Sequence, residues 1–190
     1  TLGDKGSNGN PEIRRKEAEA SAKLIGAKRI FLDFGDCEVV DTYEGRLKLV
    51  KIFRENRPRL VLAPMWKGEQ NHPDHIACGL MARHACRYSR FSKILPEIPA
   101  FHVDGILHYV NPMQGSPEFL VDVSDHVGIW KEMMLSHQSQ MKTFSYWEWV
   151  LKVSAGFGVL INRPYAQGLV AGNPIVIDDI MVVSHGTREI

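Results

Sequence analysis

His72-Pro73-Asp74-His75 places two imidazoles and a carboxylate within four residues. Imidazole is the usual nitrogen ligand for zinc, and a second histidine can serve as acid, base or oxyanion donor. An aspartate beside them can hold a ring N–H and fix its tautomer. The same four residues also fit an ordinary helix start, with Asp74 as a cap and a histidine on the surface, because short motifs arise by chance. Spacing alone leaves both readings open.

The flanking elements say where such chemistry would sit. Leu60-Val61-Leu62-Ala63-Pro64 is an apolar run of strand type, and Met65 to Asn71 forms a short loop. Pro73 suits the first position of a helix, where a missing N–H does no harm. Asp74 to Arg87 continues as that helix. The motif is then a strand–loop–helix junction, and ligands of open α/β sheets bind beyond the C-terminal ends of the strands.

Upstream, Pro11 to Ile25 reads as an amphipathic helix capped by Asn10 and stopped by Gly26, with Ile13, Ala20, Leu24 and Glu17 marking one face. Arg29 to Asp33 reads as a strand and Phe34 to Thr42 as a loop. Tyr43 to Asn56 is a second helix, with Leu47, Val50 and Ile52 inward, ended by Pro58. Downstream, Gly105 to Asn111 and Glu118 to Val123 read as strands. Ile129 to Met141 and Phe144 to Gly156 read as helices, and Ile175 to Ile177 and Met181 to Val183 as late strands. Helices alternating with strands across short connections predict an α/β protein: a Rossmann-like, three-layer fold on a mostly parallel sheet.

The chain has 190 residues, 44% hydrophobic and 24% charged, with a formal net charge of +1 and a pI near 7.7. That predicts one domain over residues 1–190, with a sizeable core. No basic stripe stands out, so nucleic acid is not an expected partner. Cys37, Cys78 and Cys86 form no disulfide or C-x-x-C pattern, which predicts reduced thiols in a cytoplasmic protein. The longest apolar stretch, Val150 to Ile161, is interrupted by Lys152, Ser154, Gly156 and Gly158. It is too short to span a membrane.

Several stretches taken together resemble one family. They are the glycine-rich opening Thr1 to Asn10, Arg15-Lys16-Glu17, the histidine motif, Ser136-His137-Gln138-Ser139-Gln140, Tyr146-x-Glu148 and Tyr165-Ala166-Gln167-Gly168. The family is that of the PIG-L/LmbE-like zinc N-deacetylases, and the resemblance is strongest to the bacterial branch with the bacillithiol-pathway deacetylase. It implies zinc-dependent hydrolysis of the N-acetyl group of an N-acetylglucosamine conjugate or related acetylated amino sugar. The family's N-terminal His-Pro-Asp-Asp motif would supply two zinc ligands and the general base, and no histidine here precedes an Asp-Asp pair. The resemblance therefore implies that the first strand and helix are missing from this chain. A non-catalytic sugar- or nucleotide-binding module on the same fold is the alternative.

The resemblance also assigns roles. His75 would ligate zinc, or be a surface histidine. His72 would donate to the tetrahedral intermediate, and Asp74 would orient a histidine. Tyr146 would donate to the oxyanion, or pack as an aromatic beside Trp147 and Trp149. Arg15 would bind substrate, or pair with Glu19 on the helix surface. Asp36 would lie near the sugar hydroxyls, or serve a turn. His102 stands where relatives carry an arginine directed at a substrate carboxylate, so it joins the substrate-binding set. Trp130, Trp147 and Trp149 with Met133, Met134 and Met141 have the composition of an interface core. With the family's habits, this predicts a homo-oligomer, a trimer or hexamer; a place in the monomer's own core is the rival reading.

Overall fold

The computed structural model describes residues 1–68, 71–110 and 115–182. Its elements in chain order are α1 (Pro11–Leu24), α2 (Tyr43–Asn56), β1 (Leu60–Pro64), α3 (Pro73–Tyr88), β2 (Gly105–Val110), β3 (Phe119–Asp122), a 3-10 turn (Ser124–His126), α4 (Val127–Leu135), α5 (Gln138–Met141), α6 (Tyr146–Leu160) and β4 (Ala166–Ala171). The protein is α/β, with an open four-stranded sheet in the order β1-β2-β4-β3. The sheet is mixed: β1 and β2 run parallel with Leu60 opposite Gly105, while β2 and β4 run antiparallel with Leu107 opposite Ala171. The chain divides into two compact units, one of residues 1–38 with 121–167, the other of Val39–Leu120 with the stretch from Gly168.

In the second unit, α2 and α3 pack over one face of β1 and β2. Val50 and Phe53 of α2 meet Ala85 of α3 and Val103, and Ala63 and Ile106 meet Ala82. The alternation of β2 follows from its pleat: Ile106, His108 and Val110 are buried, and Leu107 and Tyr109 face the other way. Thr42 caps α2 by accepting from Gly45 N, and Arg57 closes it in the left-handed conformation. Gly79 lets α3 approach the strand end: a Cβ there would stand 2.5 Å from Pro64 O. Any side chain would push α3, and the motif at its start, away from β1.

The first unit holds α1, α4, α5 and α6. Trp147 is buried and meets Trp130 edge to face at 5.8 Å. The half-buried Trp130 and the buried Trp147 thus pack against each other within this unit. Ser154 of α6 donates to Ala166 O at 2.9 Å.

Several expected elements differ. Arg29 to Asp33 is not a strand. The described sheet is built from β1 to β4 and does not include this segment, whose Phe31 ring lies under the guanidinium of Arg15 at 4.4 Å and of Arg29 at 5.0 Å. α1 buries Ala18 and Ser21, whereas Ile13 and Leu24 stay exposed. The helix expected over Ile129 to Met141 breaks into α4 and α5: Ser136 Oγ turns back onto Glu132 O and His137 leaves helical geometry. Ile175 to Ile177 form no strand, and Met181 and Val182 lie in a helical turn; Asn111 and Val183 are outside the described residues. β4 was not anticipated, because Gln167 and Gly168 dilute its apolar alternation.

Candidate functional site

Three of the sequence-marked residues meet where β1 leads into α3. His72 is the N-cap of α3, in extended geometry, and its Nδ1 accepts from the backbone N–H of Asp74 at 3.2 Å. Its carbonyl accepts from His75 N at 2.9 Å and Ile76 N at 3.2 Å, the first bonds of the helix. An imidazole nitrogen that accepts carries no proton, so the neutral ring of His72 bears its proton on Nε2. The backbone thus fixes the tautomer, and the exposed ring offers an N–H donor to solvent. The His72 and His75 ring centroids are 5.5 Å apart.

Asp74 is buried, and its Oδ1 accepts from Val39 N at 3.3 Å, which ties the start of α3 to the segment before α2. The contact of Asp74 with His72 runs through its backbone amide. A carboxylate in the first helical turn also complements the helix dipole. The pKa of His75 is lowered from its ordinary value, first by the protein around it displacing water and then by the nearby His72; Asp74 opposes both. A neutral His75 retains a lone pair for a metal or a proton.

The loop into α3 is held from outside. Met65 is buried. The Trp66 ring lies 4.3 Å from the His108 imidazole, and the Arg83 guanidinium is also 4.3 Å from its centre. His108 is fully buried, its Nδ1 is 2.6 Å from Pro64 O, and its Nε2 has no hydrogen-bond partner among the described residues. Asn71 Nδ2 donates to Lys67 O at 2.7 Å. None of these contacts was legible from the motif.

The other sequence-marked residues fall elsewhere. His102 is exposed just before β2 and lines a cavity with Arg83, Arg87 and Asp104, alongside the second half of α3. Arg15, Asp36 and Tyr146 belong to the first unit. Arg15 stacks on Phe31 rather than bonding Glu19. Asp36 accepts from Thr1 Oγ1 at 3.2 Å and Lys5 N at 2.9 Å, so it organises the N-terminal loop. Tyr146 is exposed at the start of α6, edge to face with Phe144 at 5.0 Å.

The sequence reading missed Arg14, and it placed Glu17 on a helix face and in a shared motif without its partner Ser139. The glycine-rich loop wraps the Arg14 guanidinium, which donates to Asn8 O at 2.7 and 3.1 Å. A Cβ at Gly6 would stand 2.5 Å from Arg14 Nη2. Glu17 accepts from both the backbone N and the Oγ of Ser139 at 2.7 Å, which anchors the Ser136–Gln140 stretch to α1. Only the glycine content of the loop hinted that something must pass close to it.

Among the described residues, no three His, Cys, Asp or Glu side chains gather as a metal site. His72 and His75 are the metal-type donors at the α3 start, and they do not fill the four-coordinate sphere that zinc takes. Nor is any described helix long and apolar enough to cross a membrane.

Residues 1–86 match the family described as PIG-L, GlcNAc-PI de-N-acetylase. The structure is similar to that of the conserved protein TT1542 from Thermus thermophilus, with a TM-score of 0.84 and 31% identity over 92% of this chain and 80% of that one. The chain belongs to the PIG-L family. Among curated relatives, the diacetylchitobiose deacetylase of Thermococcus kodakarensis is 28% identical over 82% of this chain. The chain spans 61% of that relative's length. The 4-oxalmesaconate hydratase of Pseudomonas putida is 23% identical over 89% of this chain and 69% of its own. One PIG-L scaffold thus resembles proteins named for two different reactions.

Proposed function

We propose that this PIG-L chain belongs to an N-deacetylase that hydrolyses the N-acetyl group of an acetylated amino sugar, such as an N-acetylglucosamine conjugate. The observation that carries the reading is the state of His72: an exposed imidazole whose accepting Nδ1 leaves the proton on Nε2. Amide hydrolysis passes through a tetrahedral intermediate with negative charge on the former carbonyl oxygen, and a preorganised N–H donor stabilises that charge. The helix start holds the donor in place before substrate arrives, so no ordering cost falls in the transition state. The likeness to diacetylchitobiose deacetylase supports the substrate class.

Asp74 acts here as a positioning residue. Its backbone N–H holds the His72 ring, and its carboxylate, bonded to Val39 N, holds that backbone. His75, neutral near pH 7 by the direction of its shift, is the residue proposed to ligate zinc. Zinc would supply Lewis acidity and an activated water. The described residues do not complete its coordination, so no step is assigned to the metal. Tyr146 as a second oxyanion donor, and Arg15, Asp36 and His102 as substrate contacts, remain proposals from family resemblance. So does assembly as a trimer or hexamer, which light scattering on the whole encoded protein would test.

The test is acetate release from N,N′-diacetylchitobiose and N-acetylglucosamine by the whole encoded protein supplied with zinc. Stoichiometric acetate and free amine are expected. A protein that binds these sugars yet releases no acetate is the binding module instead. One that ignores them and hydrates 4-oxalmesaconate follows the hydratase likeness.

A further inference from the structure

A cavity in the second unit lies away from the His72–His75 junction, at the other end of the same helix. β1 and β2 are parallel, and Pro64 at the C-terminal end of β1 stands opposite Tyr109, one residue before β2 ends at Val110. The motif follows Pro64, whereas the cavity opens where β2 begins, at His102, Val103 and Gly105. Arg83 and Arg87 follow His75 by eight and twelve residues on α3. At about 1.5 Å per residue they stand roughly 12 and 18 Å along the helix from it. The sheet rule that places ligands at strand C-termini does not account for this cavity.

Its volume is about 460 Å³, within the usual range for small-molecule sites. Its lining has two parts. Cys86, Val103 and Ile106 are half-buried to buried and form an uncharged floor. Burial pushes the Cys86 thiol up to about 12, so it stays protonated and apolar in character. Arg87, Arg90 and His102 are exposed around it.

The basic side chains of the lining are not alike. Arg83 is committed, donating to Gly172 O at 2.7 Å and stacking on Trp66. His84 is bonded to Asp41 at 2.9 Å, and the one acidic side chain of the lining, Asp104, is paired with Arg59 at 3.2 Å. Among the described residues no hydrogen bond or ion pair occupies Arg87, Arg90 or His102; Arg90 only lies near the Phe91 ring, at 5.3 Å. The acid that could have neutralised the rim is thus taken by a residue outside it. In a chain whose formal net charge is +1, two free guanidiniums around one apolar-floored cavity are a local concentration of positive charge, with the His102 imidazole beside them as a hydrogen-bonding group. Planar guanidiniums suit the oxygens of a phosphate in particular, through forked N–H donors.

We propose that this cavity binds a small organic phosphate monoester, with Arg87, Arg90 and His102 on its oxyanion and its apolar body against Cys86, Val103 and Ile106. The site lies apart from the His72–His75 junction; it assigns His102, the deacetylase substrate contact proposed above, to phosphate instead, and otherwise does not depend on the deacetylation reading. Because both cavity and motif are built on α3, occupancy would clamp the far half of the helix that carries His72.

Phenyl phosphate is the probe, since it joins a monoester to a compact apolar body. Isothermal titration of the 190-residue chain at low salt is expected to show saturable binding at one site. Inorganic phosphate should bind at least 10-fold more weakly, and phenol not at all. The double variant Arg87→Ser/Arg90→Ser changes two exposed side chains and is expected to weaken binding at least 10-fold, while His72→Asn leaves it unchanged. Equal affinity for inorganic phosphate would overturn the role of the floor. No saturable binding at millimolar probe, unchanged affinity in the double variant, or loss of binding in His72→Asn would each overturn the site.

Discussion

The two ends of α3 treat charge and polarity in opposite ways. At the N-terminal end, His72 satisfies one backbone N–H with one ring nitrogen and keeps the other ring nitrogen exposed. At the C-terminal end, Arg54 of α2 is buried and spends its guanidinium on carbonyls: Ser89 O at 2.9 Å, Phe91 O at 2.8 Å, Ile94 O at 2.5 Å, Leu95 O at 2.8 Å and Ile98 O at 2.9 Å, with Tyr88 O at the edge of range. A helix C-terminus presents unpaired carbonyls and partial negative charge. Arg54 meets both, and also pins the loop that follows. Nothing of Arg54 is left for a ligand. A reactive side chain and a structural one therefore differ less in residue type than in how many donors or acceptors remain after the fold is satisfied.

The comparison breaks most severely at Arg54. Arg54→Met should lower stability by about 3–5 kcal/mol, because several buried carbonyls lose their partner together. Urea unfolding would show it as a lower midpoint. Arg54→Lys should recover only part of the loss, since an ammonium cannot serve a fan of acceptors. A loss under about 1 kcal/mol in Arg54→Met would mean that water replaces the guanidinium, and that the two ends are not so different.

A smaller effect comes from His108 under the motif loop. Its pKa is lowered by burial and by Arg83, against the opposing pull of Pro64 O. The unfolded chain then takes up the proton more readily than the folded one. This contribution to stability is complete above the unfolded imidazole pKa, near 6.5, and is lost as pH falls below it. Each such group changes stability by at most about 1.4 kcal/mol per pH unit. Unfolding free energies between pH 7.5 and 5.5 should therefore decline, with a reduced slope in His108→Gln. A flat profile would place a charged or water-bonded His108 in the fold.

The smallest expected stability change is at Arg15. It is exposed and stacks on Phe31, so Arg15→Ala should cost about 0.5–1 kcal/mol. If it also binds substrate, KM rises while kcat holds. Unchanged KM and kcat would leave it a surface stack.

Much of this was legible in the sequence where signals are local. Thr42 and the Arg57-Pro58 stop delimit α2, and the Leu60 to Ala63 run with Pro73 locates the junction that β1 and α3 form. Signals that depend on distant partners were not legible. Arg54 answers to carbonyls 34 to 44 residues away, and no pattern in residue types marks a carbonyl. The Arg29–Asp33 segment has a strand's composition but forms no strand among the described residues, so composition misled there. The histidine motif could be found in the sequence, but its tautomer could not, because that rests on the backbone N–H of Asp74.

The central claim is that His72 acts through its outward N–H and not through its cap. His72→Asn separates the two, because asparagine caps a helix well and lacks the imidazole's reach. Steady-state deacetylation, zinc content and unfolding midpoint would be measured together on the whole encoded protein. A fall in kcat of about 10²–10³, the scale for losing one oxyanion donor, is predicted, with zinc content and stability within error of wild type. Wild-type turnover in His72→Asn, or zinc lost in step with activity, would contradict the account.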